Sequence, residues 1–135
     1  MTKKSRPDGD DPEVILIVED EILIRMVIAD YLRDCGYKVI EAASGDEALV
    51  LLQQKDITID IVFSDIEMPG DTDGFKLSQW LRQHKPDTNV LLAGTPAKAA
   101  EMAHDLCEDG PLTKPYDQTV ALNRIRRLLA GRRKG

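Results

Sequence analysis

A few charged residues of this 135-residue chain stand directly behind short apolar runs, where they could do chemistry together. Glu19, Asp20 and Glu21 follow the run Val14–Val18, and Asp65 lies just past an apolar segment at 59–63. Lys114 follows Leu112–Thr113, and a fourth apolar run closes on Gly94 and Thr95. If these runs are neighbouring strands, Glu19, Asp20 and Asp65 bring about three negative charges into one crevice. Two like charges about 4 Å apart cost about 4 kcal/mol at an effective dielectric of 20, so such a cluster wants a cation. The ligands offered are all oxygen, which suits Mg²⁺, an ion that keeps several waters and takes carboxylates plus phosphate oxygens. Lys114 adds a second positive charge, and the balanced site could then accept a phosphoryl group. A carboxylate nucleophile that forms an aspartyl phosphate is established chemistry, and its catalysis is mostly positioning and charge neutralisation. Taken singly, each acid reads as a surface carboxylate near a helix N-terminus, and Lys114 as a solvated lysine. The joint arrangement behind three strands is what points to chemistry.

The elements that must position these residues alternate along the chain. Val14–Val18 is a continuous apolar run, the pattern of a strand buried on both faces. Residues 21–35 have helical spacing, with Ile24, Val27, Ile28, Tyr31 and Leu32 on one predicted core face and Gly36 as the stop. Further strands are predicted at 37–40, 59–63, 89–93 and Leu112–Thr113. Helices are predicted from a capping-box sequence at Ser44 to Glu47 through Leu52, at Gly74–His84, at 96–105 and at 117–130. Residues 65–73 form a Pro/Gly/Asp loop. Five strand–helix repeats imply a parallel sheet covered on both faces. Ligands of such sheets sit beyond the carboxyl ends of the strands, at a topological switch point.

Composition limits the alternatives. One domain is expected at 13–131, between a disordered arm at 1–12 and a basic tail at 132–135. The net charge of −6 disfavours direct nucleic-acid binding, which needs a basic surface. The basic residues Arg124, Arg126, Arg127, Arg132, Arg133 and Lys134 suit a helix C-terminus and a solvated tail. No apolar run is long enough to span a membrane, and the polar N-terminus has no secretory signal pattern. Cys35 and Cys107 have no metal-binding spacing and read as reduced thiols, consistent with a cytoplasmic location. His84 and His104 read as surface residues, and Phe75 and Trp80 as core or half-core.

The ordered set Ile15-Leu16-Ile17-Val18-Glu19-Asp20-Glu21, Ser64-Asp65-Ile66-Glu67-Met68-Pro69-Gly70 with Asp73-Gly74, and Lys114-Pro115-Tyr116 resembles the receiver domain of bacterial two-component response regulators. The likeness runs from about Val14 to Leu129. It implies a doubly wound (βα)5 flavodoxin-like α/β fold with strand order 2-1-3-4-5. It implies Asp65 as phosphoacceptor, Asp20 as a direct Mg²⁺ ligand and Glu19 as a ligand directly or through water. The Glu67 backbone carbonyl would be a further ligand, and Lys114 would pair with the phosphoryl group. Met68 and Pro69 would shape the adjoining loop, and Pro115 would often follow a cis bond. The implied partners are a histidine kinase or histidine phosphotransfer protein and a downstream protein target. With no further domain in these residues, a stand-alone receiver is the expectation.

Two positions depart from the family pattern. Gly94 stands where the family places a Ser or Thr hydroxyl, so either Thr95 substitutes for it or the contact is missing. Thr95 also suits a helix N-cap before Pro96. Pro111 stands where an often aromatic switch residue is expected, and a proline has no rotamer to flip. Phosphoryl acceptance by Asp65 is therefore weighed against a degenerate receiver that acts as a phosphorylation-independent interaction module. A phosphatase with Glu67 as general acid is a weaker rival. Ile22 and Met26, opposite the predicted core stripe, resemble the surface on which such domains meet a kinase or phosphotransfer helix.

Overall fold

The computed structural model describes residues 11–103 and 110–134. Positions 1–10 of the arm, His104 and Cys107 lie outside the described residues. The elements run β1 (Val14–Val18), α1 (Ile22–Asp34), β2 (Lys38–Ala42), α2 (Gly45–Leu52), β3 (Ile61–Asp65), α3 (Gly74–His84), β4 (Asn89–Gly94), α4 (Pro96–Ala103), β5 (Leu112–Thr113) and α5 (Gln118–Lys134). All neighbouring strands pair in parallel, in the order β2-β1-β3-β4-β5. This is the doubly wound α/β architecture expected from the alternation.

Strand β1 shows why its run is unbroken. Ile15 and Ile17 enter one core cluster with Ile28, Leu32, Ala121, Ile125 and Leu129, from α1 and α5. Leu16 and Val18 enter the other, with Ala48, Leu52, Leu77 and Leu81, from α2 and α3. A strand that meets helices on both faces has no solvent side for a polar residue. Full burial of each such aliphatic side chain stabilises by about 1.5–3 kcal/mol.

Several boundaries differ from the sequence expectation. Strand β3 begins and ends two residues later than 59–63. Asp60 accounts for its start: its buried carboxylate accepts the Val14 N–H at 2.8 Å, and its own N–H donates to the Val14 carbonyl. The last helix continues past Ala130 to Lys134. Ser44 caps α2 by accepting the Glu47 N–H, as expected, but Glu47 reaches back to the Ala43 N–H, one residue before the cap.

The core face predicted for α1 requires a correction. Ile28, Ala29 and Leu32 are buried, whereas Ile24 and Val27 are 37% and 55% exposed. Ile22, Leu23 and Met26 are exposed as well. Leu23, Ile24 and Val27 in the first two turns of α1 face the loop between β5 and α5 rather than the sheet. With Lys114, Pro115, Tyr116 and Gln118 they line an open groove of about 560 Å³. Helical periodicity marks an apolar stripe and leaves open how much of its length the sheet covers.

Candidate functional site

Strand register assembles the site. Val18 pairs with Ser64, so the next residues, Glu19 and Asp65, lie side by side at the carboxyl ends of β1 and β3. The chain leaves β1 for β2 on one side of the sheet and comes back to β3 on the other, so this edge is the switch point. Strand β4 follows β3, and its Gly94 pairs with Thr113 of β5. Lys114 then starts one strand beyond β4, with its N–H on the Gly94 carbonyl at 2.7 Å. Its side chain reaches across the end of β4. The Lys114 Nζ lies 3.1 Å from Asp65 Oδ2 and 3.2 Å from Glu19 Oε1.

Glu19, Asp20 and Asp65 each offer a carboxylate oxygen within 4.8 Å of the others. Their burial is unequal: Glu19 is buried, Asp65 half-buried and Asp20 exposed. Burial pushes the Asp65 carboxyl above the ordinary range, and the Asp20 charge adds to this. The hydrogen bond and charge of Lys114 and the Glu67 N–H pull the other way. Burial also raises Glu19, against the Glu21 N–H, which donates to its Oε2 at 3.1 Å, and against Lys114. Desolvation alone would lower Lys114, but the hydrogen bonds and charges of Asp65 and Glu19 outweigh it and leave its pKa raised. Tyr116 is half-buried beside the site, its ring 5.5 Å from that of Phe63, and its phenol is pushed up to about 12 by burial and then by the Glu19 charge.

These features fit a hard divalent cation. The donor set is all oxygen, the acids are close enough to share one ion, and a single ammonium leaves negative charge over. Of the residues singled out from the sequence, the structure brings together Glu19, Asp20, Asp65 and Lys114. Glu67 adjoins Asp65 through its N–H, with an exposed side chain. Thr95 is exposed, and its carbonyl accepts the Ala99 N–H at 2.8 Å, as the first residue of a helix does. The Lys114–Pro115 bond is cis.

Gly94 stands against Ile66. A Cβ at Gly94 would lie 2.8 Å from Ile66 Cδ1, and Ile66 is buried. The side chain after Asp65 thus fills the space a larger residue at the end of β4 would need. Pro111 is half-buried just before the edge strand β5, and Arg124 of α5 donates to the neighbouring Gly110 carbonyl at 2.6 Å.

Sequence reasoning missed Arg25 and Glu41. The Arg25 Nη1 donates to the Glu19 carbonyl at 2.9 Å, and its Nε meets Glu41 Oε1 at 3.1 Å. The available signal was a lone charge inside the apolar run 22–29. Tyr116 stands in the Lys114-Pro115-Tyr116 motif without a role assigned from sequence.

Comparison with known proteins agrees with this geometry. Residues 15–126 match the model of the response regulator receiver domain. Sensor kinase CckA of Brucella abortus is 36% identical over 118 residues, covering 85% of this chain and 12% of that protein. Transcriptional regulatory protein ResD of Bacillus subtilis is 29% identical over 116 residues, covering 85% of this chain and 47% of that protein. The chain spans only 12–13% of the length of the sensor kinases it matches. Among solved structures, the chemotaxis protein CheY4 of Vibrio cholerae superposes with a TM-score of 0.73 at 31% identity, over 87% of this chain and 98% of that one. Response regulator TrrA of Thermotoga maritima, solved in complex with Mg²⁺ and BeF, gives 0.74 at 26% identity, over 86% of this chain and 98% of that one. With strand order, acidic cluster and bridging lysine all in place, the chain belongs to the response regulator receiver domain family.

Proposed function

We propose that this domain accepts a phosphoryl group on Asp65 from the phosphohistidine of a histidine kinase or histidine phosphotransfer protein in the cytoplasm. It then signals through partner binding or passes the group onward. The observation that carries this reading is the Lys114 ammonium, held 3.1 Å from Asp65 and 3.2 Å from Glu19 inside a carboxylate trio. Glu19, Asp20, Asp65 and the Glu67 carbonyl would hold Mg²⁺, which supplies charge neutralisation to the phosphoryl oxygens when bound. An Asp65 carboxylate oxygen attacks phosphorus, the P–N bond breaks, and the imidazole leaves. Lys114 stays paired as charge moves onto the phosphoryl oxygens, and the Glu67 N–H fixes the carboxylate.

The apolar groove beside the site supports a helical donor. Its walls, Leu23, Ile24, Val27, Pro115 and Tyr116, suit the apolar face of an amphipathic helix. Lys114 lines the groove and also contacts Asp65, so a histidine on a docked helix would face the acceptor. Partner discrimination between the two phosphorylation states requires a difference in affinity for them. Gly94 against Ile66, together with Pro111, favours a second reading, an interaction module that does not switch by phosphate.

Intact mass after incubation with acetyl phosphate tests the proposal, with and without Mg²⁺ and beside Asp65→Asn. One added phosphoryl group that requires both Mg²⁺ and Asp65 is the expected result. No adduct from acetyl phosphate or from a phosphorylated kinase, with no Mg²⁺ binding, would leave the interaction module.

A further inference from the structure

We infer that Arg25 is a positioning residue for the cation site: it locks the Glu19–Asp20 peptide and so sets the divalent-cation affinity. The inference rests on the reading of Glu19, Asp20 and Asp65 as metal ligands. The Arg25 side chain is only 15% exposed, and its guanidinium makes two kinds of contact. One nitrogen donates to the Glu19 carbonyl at 2.9 Å, the peptide oxygen directly before Asp20. Another pairs with Glu41 at 3.1 Å, and the second oxygen of Glu41 is held by Arg33, also at 3.1 Å. On the other side, the Glu19 N–H donates to the Ala42 carbonyl at 3.1 Å. Glu19 is thus gripped at both backbone groups by the end of β2, through Ala42 directly and through Glu41 by way of Arg25. Rotation of the Glu19–Asp20 peptide would swing Asp20 out of the trio, and the guanidinium on its carbonyl opposes that rotation.

A half-buried cation next to an acidic pocket has a second, opposite effect. Its charge repels an incoming divalent ion, so loss of the charge alone would tighten metal binding. The two roles therefore predict opposite signs. Residues behind metal ligands typically govern affinity by about 10–100-fold.

The test measures Mn²⁺ binding by electron paramagnetic resonance and Mg²⁺ binding by calorimetry, for wild type, Arg25→Gln, Arg25→Lys and Glu41→Gln. Urea unfolding confirms that each variant folds. For Arg25→Gln the expected result is about tenfold weaker binding of both ions. The Mg²⁺ concentration for half-maximal phosphorylation rises by the same factor, and the rate largely recovers at saturating Mg²⁺. Arg25→Lys, which keeps the charge on a single donor nitrogen, recovers part of the affinity, and Glu41→Gln weakens it. If Arg25→Gln does not fold, Arg25→Lys and Glu41→Gln decide by the same sign. Unchanged or tighter binding in folded variants would overturn the role of Arg25 alone. A wild-type protein that binds neither ion would overturn the metal site and this inference together.

Discussion

Asp65→Asn keeps the shape of the proposed acceptor and removes its charge, and it should stabilise the metal-free protein. Asp65 lies within 4.8 Å of Glu19 and Asp20, oxygen to oxygen. At an effective dielectric of about 20, each such pair costs about 3 kcal/mol. The contact with Lys114 at 3.1 Å offsets this by about 5 kcal/mol on the same scale. Loss of the charge therefore removes two repulsions and one attraction. On this scale the net gain is about 1 kcal/mol; solvent screening at the exposed Asp20 lowers it, and relief of the Asp65 burial cost adds to it. The pH dependence has a definite sign. Burial, with Asp20 adding and Lys114 opposing, raises the folded Asp65 pKa above that of the unfolded chain. Between the two values the native state holds more protons, so stability falls as pH rises through that window. The ionised Asp65 is thus a cost at neutral pH. The gap between the variant and wild type should close as pH falls through the folded pKa. Urea unfolding, followed by the single tryptophan, Trp80, and by circular dichroism in chelator at pH 7, is the assay. With a slope of about 1–3 kcal/mol per molar, the midpoint should rise by about 0.3–1 M. Added Mg²⁺ should reverse the order, since a ligand that binds only the native state stabilises it and the Asn variant lacks one of the proposed metal ligands. A variant less stable than wild type in chelator would show that the Lys114 attraction outweighs the carboxylate repulsion, and the charge argument would fail.

Two further outcomes follow from the geometry around the site. Gly74→Ala should cost at least about 2 kcal/mol in urea unfolding, because its Cβ would collide with the Asp65 carbonyl and come within 2.8 Å of Ile66 Cα. Stability equal to wild type would refute that close approach. Tyr116 should ionise near pH 12, after the other tyrosines, in an absorbance titration at the phenolate band. Its raised folded pKa means that stability falls as pH climbs from about 10 towards 12. Glu19→Gln should lower the titration point by removing the charge that helps raise it, and an unchanged value would rule that charge out.

Much of this molecule is legible in its residues because the relevant forces are local or periodic. The apolar run at β1 requires cover on two faces, Ser44 caps α2, and the alternation of runs and helices leads to a parallel sheet. The motifs around Glu19, Asp20, Asp65 and Lys114 are short, and their carboxyl-end positions follow from the strands before them. Tertiary structure decided what depends on distant neighbours. Ile24 and Val27 carry the same apolar signal as Ile28, yet they lie against the groove, because the sheet covers α1 only from Ile28 onward. Asp60 fixes where β3 begins through a bond to Val14, 46 positions away. Ile66 fills the space in front of Gly94, a packing relation between two strand ends that no spacing in sequence encodes. Arg25 reads as an interruption of an apolar helix until the fold sets the Glu19 carbonyl and the Glu41 carboxylate on either side of its guanidinium. Sequence patterns record which face of an element is apolar and which residue follows a strand. The partners of a single long side chain depend on where three or four elements converge, and that is a property of the packed structure.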